Sequence, residues 1–170
     1  MEQVRLGIIG IGNMGTAHAN NIKDGKCPEI KLTAVADINP KRLEWAAEKL
    51  DPSVAKFSTA EEMLDSGLID AAIVAVPHYD HPKYAMECFK RGLHVMVEKP
   101  AGVFTKQVRE MNEAAKKSNV IFGMMFNQRT DHVYRKMREL VQRNRQERRN
   151  GRHQAYVLDY HQLVSPAGLL

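Results

Sequence analysis

The chain has few of the residues that mark a small stapled or membrane-embedded protein. Its 170 residues hold two cysteines, Cys27 and Cys88, which cannot form a disulfide framework and whose spacing fits no CxxC metal or redox motif. A reducing, cytoplasmic setting is the compartment this usage suggests. No apolar run approaches the ~20 residues that span a bilayer, and no secretory signal pattern opens the chain, so neither membrane insertion nor secretion is expected. Aromatic residues are scarce, at 6% with one tryptophan, and offer no stacking platform for single-stranded nucleic acid. The body also lacks an excess of either charge: residues 142–170 carry +3 of the net +5, which leaves +2 for residues 1–141. Nucleic-acid binding would rest on the run from Arg143 to Arg152, with five arginines against one acidic residue, and ranks last among the readings.

What is present is the balance of a folding domain: 44% hydrophobic and 26% charged residues, with length for one sizeable core. Short β-branched runs alternate with helical patterns, as in parallel βαβ units. "RLGIIG", "IKLTAVAD", Lys56–Phe57, "AAIVAV", "HVMV" and "VIFGMMF" read as strands. Helices are expected over Asn13–Asp24, Pro40–Leu50, the stretch from Ser58 or Thr59 to Gly67, about Asp80–Arg91, Thr105–Ser118 and Thr130 to about Val141. Val133, Tyr134, Met137, Leu140 and Val141 fall on one stripe of the last helix. Beyond Val141 both periodicities vanish. The fold class this implies is α/β, a doubly wound parallel sheet of Rossmann type with helices on both faces.

"GIIGIGNMG" sets Gly10, Gly12 and Gly15 in GxGxxG spacing between the first strand and the first helix. Such glycines permit a tight turn and close approach of the backbone to a pyrophosphate at a helix N-terminus. Asp37 ends the second strand, 22 residues after Gly15, where a dinucleotide fold expects an acid for the adenosine ribose. A carboxylate there favours NAD over NADP, while nearby Lys41 and Arg42 offset part of the repulsion and leave NADP possible. The plainer alternative is that Asp37 belongs to the "DINP" turn that caps the next helix. "VPHYDHP" follows the fourth strand; His78 and His81 lack further metal ligands nearby, and a loop before a helix capped by Asp80 with Pro82 in its first turn accounts for them. No metal is expected. Lys99, in "VMVEKPAG", ends a strand, where a fixed positive charge can orient a substrate hydroxyl and stabilise a developing alkoxide.

Together "GIIGIGNMG", "VADINPKR", "AVPHYDHPKYAMECFKRGLHVMVEKPAG" and "MMFNQRT" resemble the Gfo/Idh/MocA oxidoreductases over about Val4–Val141. The resemblance implies that Gly10, Ile11, Gly12, Asn13 and Met14 form the pyrophosphate loop and that Asp37 and Arg42 hold the adenosine end. It assigns Val76, Pro77, His78 and His81 to the loop beside the cofactor, Glu98 to the nicotinamide ribose and Lys99 to the catalytic site. Asn127 and Arg129 match positions near the nicotinamide. His78 stands where many relatives have asparagine. The implied activity is hydride transfer between NAD(P) and a sugar or polyol hydroxyl, in the cytoplasm. The alternative is a stand-alone dinucleotide-binding regulatory module.

The family continues into an α+β substrate domain that carries an Asp and a His in DxxxH spacing and mediates homo-oligomerisation. No DxxxH occurs in this chain, and that domain is expected to be absent. The organisation read from sequence is a dinucleotide-binding domain over 1–126, a linking helix over 127–141 and an aberrant, disordered tail over 142–170. With synonymous third bases left free, the codons of that tail read one base later give an open frame. It has a glycine-bearing turn and a strand-like run with tryptophans, resembling the family's path toward its second domain. A frameshift near Val141 is the expectation, and the DNA sequence around that codon decides it.

Overall fold

The computed structural model describes residues 3–149, apart from the side chains at 144 and 146–149. In chain order it forms β1 (Val4–Ile9), α1 (Asn13–Lys23), β2 (Ile30–Ala36), α2 (Pro40–Lys49), β3 (Ala55–Phe57), α3 (Ala60–Asp65), β4 (Ala71–Val74), α4 (His81–Lys90), β5 (His94–Glu98), α5 (Thr105–Lys117), β6 (Phe122–Met125) and α6 (His132–Arg149). Every strand and helix expected from the sequence is there. Two one-turn 3-10 helices, His78–Asp80 and Asn127–Arg129, are additions that periodicity over so few residues does not reveal.

The strands pair in parallel in the order β3-β2-β1-β4-β5-β6. The chain reverses its direction of winding between β1 and β4, which makes the carboxyl ends of those strands the crevice of the doubly wound sheet. Both faces are covered. Leu6, Ile8, Leu32, Val35 and Ile73 pack with Ala19 of α1 and Ala46 of α2, while Ile9, Ala34, Ala36, Val74 and Val97 pack with Met63, Phe89 and Met111 from α3, α4 and α5. Leu32 and Val35 share a face although strict alternation would separate them. The cause is a register shift: Leu6 pairs with Leu32 and Gly7 with Ala34, so Thr33 is passed over. Its hydroxyl donates to the Leu68 carbonyl at 2.9 Å, and the alternation resumes one residue out of phase.

The helix ends follow local chemistry. Asn39 caps α2 by accepting from Lys41 N at 3.1 Å, with Pro40 in the first turn. Of the two candidates for capping α3, Thr59 does so in a capping box with Glu62. Asp80, expected to cap α4, occupies the cap position without a side-chain capping bond. The 3-10 turn leads the chain directly into the helix, so the cap position does not have the extended backbone that side-chain capping uses.

The chain divides into two compact units between Met125 and Phe126. In the second, Asp131 Oδ1 accepts from Val133 N at 2.9 Å at the start of α6, and the Arg129 guanidinium lies 4.6 Å from the Phe126 ring centre. The sequence-based end of this helix at about Val141 is corrected: α6 runs on to Arg149. Arginine, glutamine and glutamate are good helix formers without any apolar stripe, so a lost periodicity does not end a helix. From residue 150 onward the expected aberrant tail lies outside the described residues. Among the described residues no helix is long and apolar enough to cross a membrane.

At the amino end of the sheet, Arg5 on β1 grips Asp70 just before β4, with Nη2 2.5 Å from Oδ1. The hydrogen-bonded guanidinium holds the Asp70 carboxyl below its ordinary 3.8, and Arg91 does the same for Asp65. A carboxyl depressed in the folded state contributes stability above its unfolded value and loses it as pH falls through the lowered one. The melting temperature is therefore expected to fall as pH drops below about 4. Asp70→Asn should lower the neutral-pH melting temperature and flatten that fall; an unchanged acid profile would remove the pair from the account.

Candidate functional site

The crevice between β1 and β4 is built on glycine geometry. After β1, Gly10 takes φ +84° and its N–H donates to the Ala36 carbonyl at 2.8 Å. A Cβ there would lie 2.9 Å from the Ala75 carbonyl oxygen, so both the conformation and the approach of β4 need glycine. Gly15 seats the first turn of α1 on the same loop, and a Cβ on it would collide with the Gly10 carbonyl oxygen. Gly12 differs. A Cβ on it would meet nothing within 4 Å, so the packing of the protein itself does not require glycine at that position.

Gly12 is also the N-cap of α1. It offers no side-chain cap, and the first turn holds no acidic residue. No side chain of the helix itself neutralises its positive end. Ile11 is fully buried beside it, while Asn13 and Met14 are exposed. Gly10, Gly12, Asp37, Ile38, Val76 and Pro77 are among the residues that line a cleft of about 210 Å³.

Asp37 follows β2. Its Oδ2 accepts from Ile11 N at 2.8 Å and its Oδ1 from Asn39 N at 2.8 Å. Asp37 thus braces the turn before α2 and also faces the glycine loop. A carboxylate has about four acceptor positions, and these two bonds leave others for a ligand hydroxyl. Ile38 next to it is 86% exposed, an apolar rim that the "DINP" turn did not suggest. Arg42 lies half-buried in the first turns of α2.

On the other side of the cleft, His78 is exposed in the 3-10 turn. The ring of His81, unlike that of His78, is taken up by main-chain contacts. It is fully buried, with Nδ1 2.6 Å from the Pro100 carbonyl oxygen and Nε2 2.9 Å from that of Val76. It ties the loop after β4 to the loop after β5. Glu98 is likewise turned inward. It is 4% exposed, its Oε1 lies 2.7 Å from Nε2 of His18 on α1, and its Oε2 accepts from Lys99 N at 3.2 Å. It faces His18 and its own chain. Lys99 itself is exposed at the carboxyl edge of β5, ahead of a cis bond to Pro100. Asn127 and Arg129 belong to the second unit, in its 3-10 turn.

The family model for the Gfo/Idh/MocA oxidoreductases, NAD-binding Rossmann fold, matches residues 4–126. The chain belongs to the Gfo/Idh/MocA family. Myo-inositol 2-dehydrogenase of Thermotoga maritima is 33% identical over 139 residues, covering 82% of this chain and 41% of that protein. The crystal structure of myo-inositol 2-dehydrogenase from Lactobacillus plantarum superposes with a TM-score of 0.79 at 31% identity, over 84% of this chain and 42% of that one. That of scyllo-inositol dehydrogenase from Lactobacillus casei with bound cofactor NAD(H) and scyllo-inositol gives 0.78 at 29% identity, over 85% and 42%. The Gfo/Idh/MocA chain thus spans about two fifths of the length of these relatives, at 41% and 42%. It is an NAD-binding Rossmann domain of an oxidoreductase, and NAD is its cofactor. The open space at Gly12 and the uncapped end of α1 fit a diphosphate.

The sequence did not single out His18, whose partner Glu98 lies 80 residues away, nor Ile38. A histidine three residues after Gly15 was the only local sign of the first. An apolar residue inside a polar turn was the sign of the second.

Proposed function

We propose that this chain is the cofactor half of a dehydrogenase acting on a sugar or cyclic polyol. The observation that carries the reading is the meeting of the glycine cradle with Asp37 at the switch point, through the Ile11 N to Asp37 Oδ2 bond of 2.8 Å. In it, the backbone of Gly10, Ile11, Gly12, Asn13 and Met14 receives the pyrophosphate and Asp37 the adenosine ribose, with Arg42 at the adenine end. Val76, Pro77 and His78 flank the nicotinamide side, and the resemblance alone adds Asn127 and Arg129 to the cofactor residues. Bound NAD supplies the hydride-accepting carbon. Lys99 would orient the substrate hydroxyl and stabilise negative charge on its oxygen, while the proton passes to a base of the further domain and the hydride to NAD. The inositol dehydrogenases among the relatives support a ring polyol as the substrate class.

The division of labour in this reading gives the cofactor to these residues and the substrate to a further domain of a longer form, which also carries oligomerisation. The purified 170-residue chain is expected to bind NADH, read by fluorescence titration, and to turn over no member of a polyol panel. Absence of binding at millimolar NADH would overturn the cofactor reading, and turnover by the chain alone would overturn the division.

A further inference from the structure

The exposed lysine at the edge of β5 has no side-chain anchor of its own among the described contacts, so its direction is set by its backbone. Two contacts hold that backbone. The Pro100 carbonyl meets Nδ1 of buried His81 at 2.6 Å. The Lys99 N–H donates to Glu98 Oε2 at 3.2 Å, and the other oxygen of that carboxylate lies 2.7 Å from Nε2 of His18. With the proline side fixed, the remaining freedom of the turn is at the Glu98–Lys99 peptide, and the carboxylate that holds it is aimed by His18. The His18 and Glu98 side chains are 15% and 6% exposed, so solvent competes little for the bond.

We propose that His18 is a positioning residue for Lys99: it orients Glu98, and Glu98 fixes the peptide from which Lys99 leaves the sheet. α1 thereby links the glycine cradle at its start to the lysine across the crevice, because Gly12 caps the same helix that carries His18. The inference rests on the reading of Lys99 as the lysine that meets substrate, but the geometry it predicts can be measured without cofactor.

Glutamine carries its amide nitrogen three bonds from Cβ, as histidine carries Nε2, whereas asparagine's is one bond short. His18→Gln therefore keeps the donor and His18→Asn withdraws it, with similar polarity in both. Amide hydrogen exchange of the full 170-residue chain is the readout, since it resolves one peptide at a time. Exchange at Lys99 N–H, relative to the amides of β1 and β2, is expected to quicken about tenfold in His18→Asn and to stay within about threefold in His18→Gln, the scale of one hydrogen bond to a charged group. His18→Leu should match His18→Asn. Equal acceleration across the sheet would make His18 a general stabilising residue and overturn the proposal. So would loss of Lys99 protection in His18→Gln as large as in His18→Asn. A failure of NADH titration would instead strike the cofactor reading and leave this measurement standing.

Discussion

Replacing Gly12 by alanine is expected to leave the melting temperature unchanged and to weaken NADH binding about tenfold or more, whereas Gly15→Ala should damage both. The two glycines differ in what surrounds them. A methyl group on Gly12 meets nothing of the protein within 4 Å, and its φ of −66° is open to any residue. Only a ligand seated on the loop would meet it. On Gly15 the same methyl group collides with the Gly10 carbonyl oxygen, and relief requires α1 to lift from the loop. Overpacking of this kind costs about 1–3 kcal/mol, here placed where the first turn of α1 defines the anion seat. Thermal melts with NADH fluorescence titrations separate the cases. Undiminished affinity in Gly12→Ala would mean that the diphosphate lies elsewhere.

Asp37→Asn is expected to shift the preference for NADPH over NADH about a hundredfold, roughly 2.7 kcal/mol. A carboxylate about 4 Å from a 2′-phosphate is repelled by several kcal/mol at the effective dielectric of a protein surface, and the amide removes that charge while Lys41 and Arg42 remain. Part of the effect is structural. The carboxylate accepts from both Ile11 N and Asn39 N, and one amide oxygen cannot stand in for both. Ile11 is fully buried, so an unpartnered N–H there costs about 1–3 kcal/mol. A fall in melting temperature should accompany the change in preference. If paired titrations gave the same NADPH to NADH ratio in both proteins, Asp37 would be a turn residue alone.

Alternating strand and helix signals were enough to reach the doubly wound sheet, because "AAIVAV" and "HVMV" are apolar on both faces and Gly10, Gly12 and Gly15 stand at one strand-to-helix turn. What sequence pattern could not carry was pairing between distant segments. His18 and Glu98 meet across 80 residues, and His81 reaches Pro100 across 19. A histidine near a cofactor loop reads as a ligand until its surroundings are known; both nitrogens of His81 proved to face main-chain carbonyls. Nor does position at a strand end say which way the Glu98 carboxylate turns; here one of its oxygens meets His18. The helix beyond Val141 was missed because its arginines and glutamines favour helix without an apolar face.

The passed-over Thr33 governs more than the packing of β2. Because one residue there has no partner on β1, every side chain after it, Asp37 included, lies on the side opposite to the one uninterrupted pairing would give. In the proposed reading of Asp37, the choice of nucleotide would depend on a counting step four residues upstream of it. Point changes along β2 alter how well the strand packs, and losing Thr33 would leave the Gly7–Ala34 pairing and the faces after it as they are, whereas one residue added after Thr33 would put the strand out of phase and turn the carboxylate away from Ile11. In that reading, an added residue in β2 would reach the cofactor more directly than a change of residue type.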